Sequence, residues 1–233
     1  MIDFHSHILP ALDDGSKNTD ESLCLLSMLS EQGIDTVIAT PHFYPEEESV
    51  NEFIDRRQNS YNELIPHLKD DLPKILLGAE VTYYDGISSL EGLENLTIAG
   101  TNLLLLEMPM CTWSDYALKE LNTLSCIKGL TIIIAHIERY MRYQPRRVFE
   151  QLTELGILVQ VNASFFCSAL TKRKALNMLL KGGINVIGSD CHNTTTRAPH
   201  IGEAFEIIKS KLGNDFIQDL AEYHRYIILG TNG

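Results

Sequence analysis

The chain has 233 residues, 44% of them hydrophobic and 21% charged, which excludes disordered and fibrous classes and suits a single domain over residues 1–233. Nineteen Lys and Arg against 31 Asp and Glu give a formal charge of −12, which disfavours nucleic acid and anionic membranes as partners. No apolar run approaches the roughly 18 residues that a membrane helix needs.

The opening Met1-Ile2-Asp3-Phe4-His5 lacks the basic and apolar regions of a signal peptide. Cys24, Cys111, Cys126, Cys167 and Cys191 are odd in number and form no Cys-x-x-Cys pair. Reduced thiols and a cytoplasmic location are therefore expected.

In chain order, strand patterns fall at 2–4, 36–39, 74–78, 103–106, 130–135, 158–161 and 184–187. Helical patterns fall at 19–32, 49–68, 114–127, 145–155, 171–180 and 200–212. Thr19-Asp20-Glu21 offers a cap and first-turn acids, and Gly33, Gly129, Gly156 and Gly213 follow helical patterns. Runs such as Thr131-Ile132-Ile133-Ile134-Ala135 are apolar without alternation, as strands buried on both faces are. Seven β/α alternations predict a (β/α)7 TIM-like barrel, with a doubly wound open sheet as the alternative. The segment 83–100 reads as a long irregular excursion.

The residues suited to metals gather where strands end. His5 and His7 follow the first strand, His42 the second, Glu80 the third, Glu107 the fourth, His136 the fifth, and Asp190 and His192 the seventh. A parallel barrel brings all of these ends to one face. The remaining histidines, His67, His200 and His224, lie in helical or tail segments. Packing alone does not favour such a bias, because buried imidazoles and carboxylates need partners. His-x-His on an extended segment puts both rings on one side, able to chelate one ion. A set of nitrogen and carboxylate donors favours Mn, Fe or Zn, and its size favours more than one ion.

His5-Ser6-His7, Asp13-Asp14-Gly15, Thr40-Pro41-His42, Gly78-Ala79-Glu80, the run His136-Ile137-Glu138-Arg139-Tyr140 and Ser189-Asp190-Cys191-His192-Asn193 resemble the motifs of the polymerase-and-histidinol-phosphatase (PHP) superfamily. Their order is most similar to its protein-tyrosine phosphatase branch of bacterial capsule and exopolysaccharide loci. The resemblance implies the PHP fold and three divalent metal ions, with Mn²⁺ the leading choice and Fe or Zn open. It places one ion on His5, His7, Glu80 and Asp190, and a second on Glu80, Glu107 and His136. A third falls on His42, His192 and an acid of the first loop, taken as Asp14 with Asp13 as neighbour. It also gives Arg139 and Arg197 the role of clamping phosphate. The implied substrate is phosphotyrosine on a protein, such as a bacterial tyrosine kinase controlling polysaccharide export. Hydroxide between two ions would attack phosphorus in line.

Competing expectations also stand. A PHP-type small-molecule phosphatase, acting for example on histidinol phosphate, or a phosphodiesterase keeps the metals and changes the substrate. A cysteine-based phosphatase draws on Cys-x5-Arg, which occurs at Cys167–Arg173 and Cys191–Arg197, yet neither stretch has the glycines of a phosphate-cradling loop. Tyr83, Tyr84, Trp113, Phe165 and Phe166 could stack on an aryl substrate, with core or loop packing the favoured reading.

Overall fold

The computed structural model describes residues 1–127 and 129–230. The parallel strands are β1 (Ile2–Ser6), β2 (Thr36–Ala39), β3 (His42–Phe43), β4 (Lys74–Leu77), β5 (Glu80–Thr82), β6 (Leu103–Glu107), β7 (Thr131–Ile134), β8 (Leu158–Asn162) and β9 (Val186–Gly188). Two ladders run β1-β2-β4 and β3-β5-β6-β7-β8-β9. Backbone bonds from Gly78 N–H to Ala39 O (2.8 Å) and from Glu80 N–H to Pro41 O (2.9 Å) join them across the breaks in the second and third runs. Asp190 N–H donates to His5 O (2.8 Å) and His7 N–H to Cys191 O (2.9 Å), which closes the curled sheet into a ring of seven strand runs. The open-sheet alternative is thereby excluded.

Alternation along each strand divides the core in two. Leu103, Leu105, Ile133 and Ala135 join Phe4, Ile38 and Val186 in an inner cluster. Leu104, Leu106, Ile132 and Ile134 join the larger cluster under the surrounding helices. Those helices are α1 (Thr19–Glu31), α2 (Val50–Leu64), α3 (Asp115–Ser125), α4 (Arg146–Glu154), α5 (Ser164–Cys167), α6 (Lys172–Leu180), α7 (Ile201–Leu212) and α8 (Asn214–Gly230). Ser49 and Glu52 form a capping box at the start of α2. The cap of α1 is Asn18, whose side chain accepts from Glu21 N–H, and not Thr19.

Helix α8 has no counterpart in the expected elements, which end at residue 212. Its Leu220, His224, Ile227 and Ile228 are buried, and Ile227 and Ile228 join the inner cluster at the N-terminal end of the barrel. The 83–100 excursion is anchored at both flanks. Ser88 donates to Glu120 of α3 through its N–H and hydroxyl (both 3.1 Å), and Arg57 of α2 donates to Gly78 O (2.6 Å) and Asn95 O (3.4 Å). Its last residues wedge between β4 and β6: Ala99 N–H reaches Leu77 O (2.6 Å) and Ile98 N–H reaches Leu103 O (2.8 Å).

Candidate metal centre

The strand ends aim their polar residues by local distortions. Phe4 already points into the barrel, yet His5 and His7 reach the mouth, because the pairing of β1 with β2 slips between Asp3 and Ser6. His136 and Asp190 turn their strand ends through left-handed backbone, with φ of 32° and 54°. Such conformations cost energy outside glycine and concentrate at functional sites. Gly188 is required beside them, since a Cβ there would stand 2.5 Å from His5 Cβ.

All eight strand-end residues converge, with Glu80 at the centre. Its Oε2 lies 3.1 Å from His5 Nε2, 3.3 Å from His7 Nε2 and 3.2 Å from His42 Nδ1. Its Oε1 lies 2.8 Å from His136 Nε2, which is also 3.4 Å from Glu107. Asp190 Oδ1 stands 3.7 Å from His5 Nε2 and 3.6 Å from His7 Nε2. Asp14 Oδ1 stands 3.3 Å from His192 Nε2 and 3.5 Å from His42 Nε2. Three overlapping groups have donor atoms within 4.8 Å of one another: His5, His7 and Asp190; His42, Glu80 and Glu107; and His7, Asp14, His42 and His192.

The two acids of the first loop differ. Asp13 is 5% exposed, and its Oδ2 accepts from His7 Nδ1 (2.7 Å) and His42 N–H (3.0 Å). Asp14 is 63% exposed and reaches the outer histidines directly.

The hydrogen bonds fix which nitrogen faces inward. His5 Nδ1 meets Gln160 Oε1 (3.3 Å), an oxygen that also accepts His136 N–H (2.6 Å), so His5 donates there. His7 Nδ1 donates to Asp13, and His192 Nδ1 donates to the carbonyl of Asp190 (3.0 Å). All three Nε2 lone pairs therefore point into the cluster, the arrangement metal-binding imidazoles adopt. Among the described residues, buried His42 Nδ1 and His192 Nε2 make no hydrogen bond. Such orphaned acceptors, set among buried carboxylates, fit divalent cations.

The electrostatics agree. Burial opposes charge on His7, but hydrogen bonds to Asp13 and Glu80 outweigh it and raise its pKa to about 10, so a proton and a metal cation compete for its Nε2. Burial also opposes charge on Glu80 and Asp190, yet His5 and its neighbours hold both carboxyls well below the usual range. The buried carboxylates thus attract positive charge strongly.

Arg139 and Arg197 flank Asp190. Arg139 pairs with Asp190 Oδ2, and Arg197 donates to Oδ1 at 2.8 Å. The loop carrying Arg197 is gathered by Asn193 Oδ1, which accepts from Thr195 N–H and Arg197 N–H, both at 3.0 Å. Arg146 turns outward, pairing with Glu150 at 2.9 Å.

Thiol chemistry does not fit. Burial keeps the Cys191 thiol protonated and pushes the Cys167 thiol up to about 12. Cys191 packs in the outer core, as strand alternation predicts.

Gln160 and Asn162 escaped the sequence reading. Asn162 Nδ2 donates to Asp190 Oδ2 (2.8 Å), and Gln160 Nε2 donates to Asn162 Oδ1 (2.9 Å). Gln160 lies in the expected strand 158–161 and Asn162 just past it, and their two-residue spacing was the available signal.

The fold and the rim together define a parallel α/β-barrel protein whose mouth gathers side chains that could hold metal ions. The family model "Capsular polysaccharide synthesis, CpsB/CapC" matches residues 1–228, and the chain belongs to that family. Tyrosine-protein phosphatase CpsB of Streptococcus pneumoniae is 34% identical over 230 residues, covering 91% of each chain. Tyrosine-protein phosphatase YwqE of Bacillus subtilis is 31% identical, covering 95% of this chain and 89% of YwqE. A structure from the work on YwqE and CpsB, described as metal-dependent tyrosine phosphatases, matches with a TM-score of 0.82 at 27% identity. It covers 98% of this chain and 94% of that one.

Proposed function

We propose that the chain is a metal-dependent protein-tyrosine phosphatase of capsular polysaccharide synthesis, acting in the cytoplasm as a single domain on phosphotyrosine of a bacterial tyrosine kinase. The observation that carries this is the convergence of nine His, Asp and Glu side chains, with the Nε2 atoms of His5, His7 and His192 turned inward. His5, His7, Glu80 and Asp190 would hold one ion, Glu80, Glu107 and His136 a second, and Asp14, His42 and His192 a third, with Mn²⁺ the leading identity and Fe or Zn its competitors. When bound, such ions supply Lewis-acid polarisation of phosphoryl oxygens and lower the pKa of water.

The chain's own groups complete the site. Asp13, Gln160 and the Asp190 carbonyl orient the three imidazoles. Arg139 and Arg197, placed on either side of Asp190, bind the phosphoryl oxygens and offset the charge that develops on them. A tyrosine leaving group has a pKa of about 10 and departs with less protonation than an alkoxide.

The test is hydrolysis of a phosphotyrosyl peptide by chelator-stripped protein before and after Mn²⁺ is restored. Activity only with the metal is expected. Full activity in the stripped protein would overturn the metal assignment. A large preference for histidinol phosphate in the same assay would overturn the substrate.

A further inference from the structure

We propose that Tyr44 selects aryl phosphates, its ring forming the wall of the mouth against which the substrate's phenyl ring packs. This deepens the phosphotyrosine reading and rests on it. Tyr44 follows His42 and Phe43 of β3. Phe43 is fully buried, whereas Tyr44 remains 38% exposed. One face of its ring is stacked on the imidazole of His42, with centroids 5.3 Å apart and planes 26° apart. Its carbonyl accepts from Glu47 N–H (3.0 Å) and Glu48 N–H (3.3 Å), so the turn after β3 holds it over the cluster.

The other aromatics expected near the mouth are committed elsewhere: Trp113 packs edge-on against buried Tyr140, Phe165 and Phe166 are buried, and Tyr83 and Tyr84 pack against the outer core. Tyr140 also meets a cluster histidine, His136, but is fully buried.

The two arginines sit on the Asp190 side of the rim and Tyr44 on the His42 side. A phosphate held by the arginines sends its organic group outward past Tyr44. An aromatic pair there strengthens binding a few-fold to about tenfold, and an alkyl phosphate gains none of it.

Phenylphosphonate and methylphosphonate, whose binding is measured directly by calorimetry, read this without turnover. Both need the same phosphate site, so their affinity ratio cancels general damage to it. The wild type should bind phenylphosphonate more tightly. Tyr44→Phe should keep the ratio, and Tyr44→Leu should lower it by a few-fold to about tenfold. Equal affinities in the wild type, an unchanged ratio in Tyr44→Leu, or an equal loss in Tyr44→Phe would each overturn the assignment. Failure of the wild type to hydrolyse phosphotyrosyl peptide would instead sink the functional reading and leave the affinity ratio readable.

Discussion

The two ends of the barrel interior handle burial in opposite ways. At the N-terminal end, Ile2, Phe4, Ile38, Leu103, Leu105, Ile133 and Val186 meet Ile227 and Ile228 of α8. At the C-terminal end, His5, His7, Glu80, His136, Asp190 and His192 are just as buried. Apolar burial stabilises by about 25 cal/mol per Å². Buried carboxylates oppose folding unless cations counter them. One end therefore maintains the fold, and the other concentrates buried carboxylates that bound cations would stabilise.

The comparison breaks most sharply at Glu80, which four histidines approach. Glu80→Gln should reduce metal affinity by at least about 100-fold and activity to background, while the circular dichroism of the folded chain stays unchanged. A fully metallated, active Glu80→Gln protein would sink the proposed centre. Arg139→Ala should keep its metal and lose about 10²–10³-fold in kcat. Normal turnover in that variant would remove the phosphate clamp.

At the apolar end the expected effects reverse. Ile133→Ala should cost about 2–5 kcal/mol in urea unfolding, with kcat/KM per folded molecule retained. Loss of metal from that variant would show the two ends to be coupled.

The smallest effect tests a titratable ring at that end. His224 packs against Phe4 with ring centroids 5.0 Å apart, and burial pushes its pKa down to about 3 from 6.5. A histidine depressed in this way contributes stability above pH 6.5 that is lost as pH falls toward 3. The loss approaches about 1.4 kcal/mol per pH unit. Metal-free His224→Leu should lose less stability than the wild type between pH 7 and about pH 4.5, read as urea midpoints. Equal losses would mean that burial does not hold the ring neutral.

The site was legible where its signal was local. His5, His7, His42, Glu80, Glu107, His136, Asp190 and His192 each stand at the end of an apolar run, and parallel strands bring all such ends to one face. Asp13 and Asp14 are adjacent, and nothing local separates the buried acid on His7 from the exposed one near His42 and His192. Tyr44 gave no pattern, because its meaning depends on the ring beneath it. Helix α8 did carry a signal, in the spacing of Leu220, His224 and Ile227, and its face is explained by the barrel end that it covers.

Hydrophobic period and residue type act within a few neighbours, so the alternation of strands and helices and the polar residues at the strand ends are written locally in the chain. How those side chains are aimed is set by packing between distant segments. The slip in β1, the glycine against His5, and the Gln160 carbonyl shared by His5 and the His136 backbone all depend on register between segments far apart in the chain. Side-chain contacts across a closed sheet follow that register, which no local pattern encodes.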